Sequence, residues 1–205
     1  MGVIYAEKSM VTNYLTPEGL LLFLKEIPKL ECYHMDGIRK PLDPYSFQLL
    51  FKLQYTCALR ISELLRIRKE DINLKTKILT IPKAKTGNRQ KTTIVPTMVQ
   101  PLGDYIKDWD DRWLLFPISR QTVIVWGKII AEKAGLDLGE EQTEKSIGGY
   151  WTHLMRKSYS KWMLEKGASR ELRMKKLRHT FTDSQDAYDV ADLNALLEWE
   201  AKQFC

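Results

Sequence analysis

The chain has 205 residues, 44% of them hydrophobic and 28% charged, with a formal net charge of +6. That is enough apolar material for one sizeable core and lies outside the composition of a disordered chain. The longest purely apolar run, Leu20 to Leu24, is far shorter than a membrane span, and the N-terminus lacks the charged start, apolar stretch and cleavage site of a secretory signal, so a cytoplasmic protein with no membrane partner is expected.

Residues 1–14 show no periodicity and read as a linker or arm. Thr16 and Pro17 make an N-cap and first-turn pair that opens a helix through EGLLLFLKEI, ended by Pro28. Pro44 opens a second helix through YSFQLLFKLQYT, apolar enough to be largely buried. LRISELLRI, with Leu59, Leu64, Leu65 and Ile67 apolar, reads as a third helix that breaks over 69–73. The one clear β signal is KILTIP and KTTIVP joined by a basic tip from Lys83 to Gln90, with Gly87 and Asn88 at the turn. Helices are predicted over 97–108, 119–134, 151–166, 170–178 and 191–203, with Gly135 and Gly167 where helix C-termini favour glycine. The fold class is mainly α with a small antiparallel β-hairpin or sheet. Trp109, Trp113 and Trp126 are expected to be packing residues. Cys32, Cys57 and Cys205 are too widely spaced for a disulfide framework or a zinc site, so reduced thiols are expected.

Charge is distributed unevenly along the last quarter. Between Thr152 and His179 nine lysines or arginines stand against Glu165 and Glu171, whereas between Thr180 and Cys205 six acids stand against Lys202. A basic block suits a polyanion, and an acidic tail can dock on a basic neighbour. Leu193, Leu196, Leu197 and Phe204 recur near helical spacing in that tail, which makes it either the last helix of its own core or one that packs on another protomer.

His153 and Arg156 in THLMR, His179 in LRHTF and then Tyr188 are residue types suited to cleaving a phosphodiester with a tyrosine nucleophile. A tyrosine hydroxyl with a pKa near 10 is only about one part in a thousand ionised at pH 7, a deficit of roughly 4 kcal/mol that nearby cations reduce. Arginine suits the phosphate because its guanidinium stays charged and grips two oxygens at once. On a helix over 151–164, Trp151, Leu154, Met155, Tyr159, Trp162 and Met163 share one half of the wheel, while His153, Arg156, Lys157 and Ser160 share the other. That wheel puts His153 and Arg156 side by side and away from the core. With neither a carboxylate cluster nor a His/Cys set at ligand spacing, no metal or other cofactor is expected.

From Tyr14 onward the chain resembles the catalytic domain of the tyrosine recombinases, the phage-integrase and Xer family. YLTPEGL is similar to the family's entry helix, and TCALRISELLRIRKEDI to its first box, TGLRISELLxLxxxDI. IPKAKTGNRQKTTIVP resembles the hairpin that carries the catalytic lysine. THLMRKSYSKWMLEKG resembles HxLRHxFATxxLxxG, and LRHTFTDSQDAY resembles LGHSSxxTTxxY, with the usual nine-residue step from His179 to Tyr188. The resemblance implies that Arg60 and Arg156 are a phosphate-binding pair, Lys85 the hairpin lysine, His153 and His179 assisting histidines, Glu63 a supporting acid and Tyr188 the nucleophile. Lys83, Arg89, Lys91, Lys157 and Arg178 are the further candidate DNA contacts. The departures are Cys57 and Ala58 at the TG position, Met155 and Lys157 around Arg156, and Arg178 in place of the glycine before the third-box histidine.

The resemblance further implies a DNA breaking-rejoining domain over 15–205 that forms a 3′-phosphotyrosine on double-stranded DNA without metal or ATP. It also implies a monomer in free solution, a tetramer of copies on DNA, and a C-terminal helix over 191–205 exchanged between subunits. The family's N-terminal core-binding domain has no counterpart in these residues. Relaxation of supercoils, as by a type IB topoisomerase, and a non-catalytic DNA-binding regulator of the same fold are the alternative readings.

Overall fold

A computed structural model describes residues 14–29, 43–82, 90–136, 147–178 and 193–204, with side chains in the fourth segment from His153 onward. The helices are α1 (Pro17–Glu26), α2 (Pro44–Thr56), α3 (Ile61–Leu64), α4 (Pro96–Ile106), α5 (Arg120–Lys133), α6 (Ile147–Glu165), α7 (Arg170–Leu177) and α8 (Leu193–Gln203). Strands β1 (Ile72–Asn73), β2 (Ile78–Ile81) and β3 (Gln90–Thr93) form one antiparallel sheet in the order β1-β2-β3. In its register Ile72 faces Leu79, Leu79 faces Thr92 and Ile81 faces Gln90. The mainly helical fold with a small antiparallel sheet is therefore as expected, and the basic tip at 83–89 lies outside the described residues.

Helix starts follow from short polar side chains that accept otherwise orphaned backbone N–H groups. Thr16 accepts from Gly19 N at 3.1 Å, Asp43 from Ser46 N at 3.0 Å, and Ser119 from Thr122 N at 3.0 Å. Pro17 and Pro44 supply the fixed φ of a first helical turn. Helix α2 is buried nearly all round, with Phe47, Leu49, Leu50, Phe51 and Leu53 at 2% exposure or less, and it packs against α4 and α6. The Leu15 N–H donates to Ser158 Oγ at 2.8 Å and so ties the chain entry to α6.

Among the described residues four helix ends turn through left-handed backbone, two of them with glycine. Gly135 (φ +66°) and Gly167 (φ +75°) close α5 and α6 as their positions predict. Ala58 (φ +49°) closes α2, with Leu59 N–H donating to Gln54 O at 2.9 Å and Ala58 N–H to Tyr55 O at 2.9 Å. Arg178 (φ +54°) closes α7. A left-handed residue bearing Cβ costs roughly 1–2 kcal/mol, so contacts elsewhere must hold these two turns.

Two sequence expectations are corrected. The third predicted helix is a single turn, because Arg60 is extended (φ −70°, ψ 148°) and the chain turns again at Leu65, before a 3-10 turn at Lys69–Asp71 and β1. The outward-facing positions expected of Arg156 and Arg178 are not found, since Arg156 and the Arg178 side chain are at most 5% exposed. The tryptophans pack as expected: Trp126 is buried, Trp109 lies against the core edge, and Trp113, though 58% exposed, sets its ring edge-on to Trp109 at 6.1 Å.

Helix α8 packs on its own chain, against α7 and β3. Leu196 is buried, and Trp199 and Phe204 lie 5.7 and 5.1 Å from the Trp162 ring. Beneath them Glu200 accepts hydrogen bonds from Tyr159 Oη and Thr93 Oγ1, each at 2.6 Å, and pairs with Lys176 Nζ at 2.6 Å. Among the described residues no helix is long and apolar enough to cross a membrane.

Candidate active site

Three chain segments converge beside the entry to α6. The turn from Cys57 to Arg60 comes from the end of α2, His153 to Lys161 from α6, and Arg173 to Arg178 from α7. Between them lies a cleft of about 680 Å³ lined by Tyr14, Arg60, His153, Arg156, Lys157, Ser160, Lys161, Leu164, Arg173 and Leu177. Among the described lining residues five are lysine or arginine and none is a carboxylate, a charge balance that suits an anion.

Arg60 reaches this cleft because α3 starts where it does. Its backbone N–H donates to Glu63 Oε2 at 2.8 Å, half of a capping box, and its Nη1 donates to Glu63 Oε1 at 2.7 Å. The Arg60 side chain stays 41% exposed while the Glu63 carboxylate beneath it is 9% exposed. Burial alone would raise the Glu63 carboxyl, but Arg178, the Arg60 hydrogen bonds and the Arg60 charge hold it below its ordinary value.

Arg156 sits deeper than the helical wheel predicts. It is 5% exposed, because its Nη1 donates to Ala58 O at 2.9 Å and its Nη2 to Leu177 O, two carbonyls left without partners where α2 and α7 end. Burial, with Arg178 and Arg60 close by and Glu63 opposing them, pushes its guanidinium down to about 9, still cationic at neutral pH. His153, one helical turn earlier, is half-buried as expected of a cleft residue. Burial and then the charges of Arg60, Arg156 and Lys157 lower its pKa below 6.5. A neutral imidazole there can donate from one nitrogen and accept at the other.

Of the other candidates, Lys157 is exposed and lines the cleft. Lys91 is exposed on β3 opposite Thr80 and does not line it. Arg178, expected as a DNA contact, is turned inward: its side chain is 3% exposed and pairs with Glu63 at 2.8 Å. Lys83, Lys85, Arg89, His179 and Tyr188 lie outside the described residues. The cleft residues Tyr14, Lys161 and Arg173 were not singled out by sequence. Lys161 follows Lys157 at i+4, so helical spacing from Lys157 was the available signal for it, and Arg173 belongs to the basic block. Among the described residues no group of three or more His, Cys, Asp or Glu is arranged to hold a metal ion.

Comparison with known proteins gives this geometry a context. Residues 35–201 match the model of the phage integrase family. The chain is 29% identical over 153 residues to tyrosine recombinase XerA of Pyrococcus furiosus, a match covering 72% of this chain and 51% of the relative, so the chain spans about half the length of the curated relative it matches. A crystal structure of XerA recombinase is similar with a TM-score of 0.61 at 15% identity, covering 99% of this chain and 68% of the other. The integrase from mycobacterium phage Brujita is similar with a TM-score of 0.62 at 17% identity, covering 98% and 61%. XerH site-specific recombinase bound to its difH substrate has a TM-score of 0.59 at 20% identity, covering 96% and 52%.

Proposed function

The chain belongs to the phage integrase family, and on that premise we propose that it is the catalytic domain of a site-specific DNA recombinase that cleaves and rejoins DNA through a tyrosine. One observation carries this reading. Arg60, His153 and Arg156, drawn from two segments far apart in sequence, meet at a cleft whose described lining has five lysines or arginines and no carboxylate. Such a cleft favours a phosphodiester, and favours still more the pentacoordinate transition state, whose extra negative charge preorganised donors can stabilise by several kcal/mol.

In this mechanism Arg60 and Arg156 hold the non-bridging oxygens, with His153 donating alongside them. Tyr188 attacks phosphorus as its phenolic proton passes to an assisting histidine, the bond to the 5′ oxygen breaks, and Lys85 delivers the proton that the leaving oxygen takes up. The 3′-phosphotyrosine keeps the energy of the broken bond, so rejoining needs neither ATP nor metal. His179 assists, and Glu63 orients Arg60. Double-stranded DNA is the substrate, and copies of the chain assemble on it as a tetramer from monomers. The DNA-bound state of the similar XerH recombinase supports the choice of substrate.

The test is covalent capture. A random library of nicked duplexes is incubated with the chain in EDTA, and adducts resistant to denaturant are recovered and sequenced. Adducts on a narrow set of sequences are expected. Relaxation of supercoiled DNA without sequence preference would favour the topoisomerase reading, and binding without adduct would favour the regulator.

A further inference from the structure

Arg178 stands where the family pattern has glycine, and its guanidinium donates four hydrogen bonds through its two terminal nitrogens, while the buried Nε has no partner among the described residues. Nη1 donates to Cys57 O at 3.2 Å and to Lys176 O at 3.0 Å. Nη2 donates to Ala58 O at 3.0 Å and to Glu63 Oε2 at 2.8 Å. Two of these acceptors are shared with the arginines of the cleft. Ala58 O also takes Arg156 Nη1, and Glu63 also takes the Arg60 backbone N–H and Nη1. One buried side chain therefore links the end of α2, the start of α3 and the end of α7.

We infer that Arg178 is a positioning residue for the phosphate-binding arginines and makes no contact with DNA itself. The inference rests on the proposed roles of Arg60 and Arg156, and two physical consequences support it. First, the two described helix ends that turn left-handed without glycine, at Ala58 and Arg178, are tied to each other by the Arg178–Ala58 bond. The carbonyls of Ala58 and Leu177 that hold Arg156 belong to these two turns, so the bond keeps Arg156 in register with the cleft. Second, Arg178 and Arg60 both bond to Glu63 and together offset the burial of its carboxylate. Without Arg178 the carboxylate would hold Arg60 more strongly and compete with phosphate for that guanidinium.

The test uses the full chain with Arg178 changed to Gly, which keeps the left-handed turn and removes the guanidinium, and Arg178 changed to Lys, which keeps the charge. Three quantities are read under conditions where circular dichroism shows each variant folded. Affinity for a random-sequence 30-base-pair duplex is followed against salt. Single-turnover adduct formation is followed on a nicked duplex recovered by wild-type capture. Hydrogen exchange of the Arg156 guanidinium is followed by NMR in the free protein.

Both variants are expected to keep the wild-type salt slope, to form adduct at least tenfold more slowly, and to lose Arg156 exchange protection. Lysine should rescue little, because one ammonium cannot hold three carbonyls and a carboxylate together. A salt slope reduced by about 1 would mark Arg178 as a phosphate contact and overturn the inference. So would an unchanged exchange pattern, or full recovery with lysine. If the wild type itself forms no adduct, the cleavage reading falls, and the exchange measurement alone decides whether Arg178 positions Arg156.

Discussion

Lys176 and Glu200 form an ion pair at 2.6 Å in which neither side chain has any exposure to solvent, and this pair anchors α8 to the rest of the chain. Lys176 Nζ also donates to Thr93 O at 3.0 Å and Oγ1 at 2.9 Å and lies 5.1 Å from the Tyr159 ring, so every partner of Glu200 belongs to one socket. Breaking such a pair by removing one member typically costs about 3–5 kcal/mol, because the other charge is left buried, whereas replacing both with apolar groups can be near neutral. Glu200→Ala and Lys176→Met should each lower stability by that order in denaturant melts, and Lys176→Met with Glu200→Leu should cost less than either alone. Additive losses in the double variant would show that the charges do not act as a pair.

Arg60 and Arg156 should differ in what their removal does. Arg60 is 41% exposed and bonded to Glu63, so Arg60→Ala should slow adduct formation at least a hundredfold with a stability change of about 1 kcal/mol or less. Arg156 also caps the carbonyls of Ala58 and Leu177, so Arg156→Ala should slow the reaction as much and destabilise the fold by about 2–3 kcal/mol as well. Lysine should rescue neither rate. Near-wild-type cleavage with lysine at both positions would contradict bidentate phosphate contact.

Glu63 predicts a pH dependence of defined sign. Its folded pKa is depressed, with burial opposed and outweighed by Arg178 and Arg60, so its contribution is present above the unfolded value near 4.5 and is lost as pH falls through the folded value. The stability gap between wild type and Glu63→Gln should therefore be full at pH 6–7 and close on acidification below about 4.5. A gap that stays constant down to pH 3 would mean that the carboxylate charge contributes nothing.

Sequence made the helix starts legible because Thr16 with Pro17 and Asp43 with Pro44 advertise themselves chemically, and Gly135 and Gly167 mark two ends in the same way. It also brought Arg60, His153 and Arg156 together through the order of the boxes. The left-handed turns at Ala58 and Arg178 were not legible as turns, because neither residue type favours that backbone and only long-range hydrogen bonds hold it. The same reason hid the burial of Arg156. A helical wheel ranks it with the polar face, yet its reach to Ala58 O spans 98 residues of sequence. Lys176 and Glu200 read as parts of a basic block and an acidic tail. Their burial depends on Tyr159 and Thr93, which no local pattern connects to them.

The central claim is that this cleft serves a tyrosine nucleophile, and mass spectrometry of the trapped adduct tests it most directly. The chain is incubated in EDTA with a nicked duplex recovered by capture, digested, and the modified peptide sequenced. The account predicts a 3′-phosphoryl nucleotide on Tyr188, with no adduct from Tyr188→Phe although that variant still binds the duplex. An adduct on Tyr150, Tyr159 or any other residue, or one that forms only with a divalent metal, would contradict it.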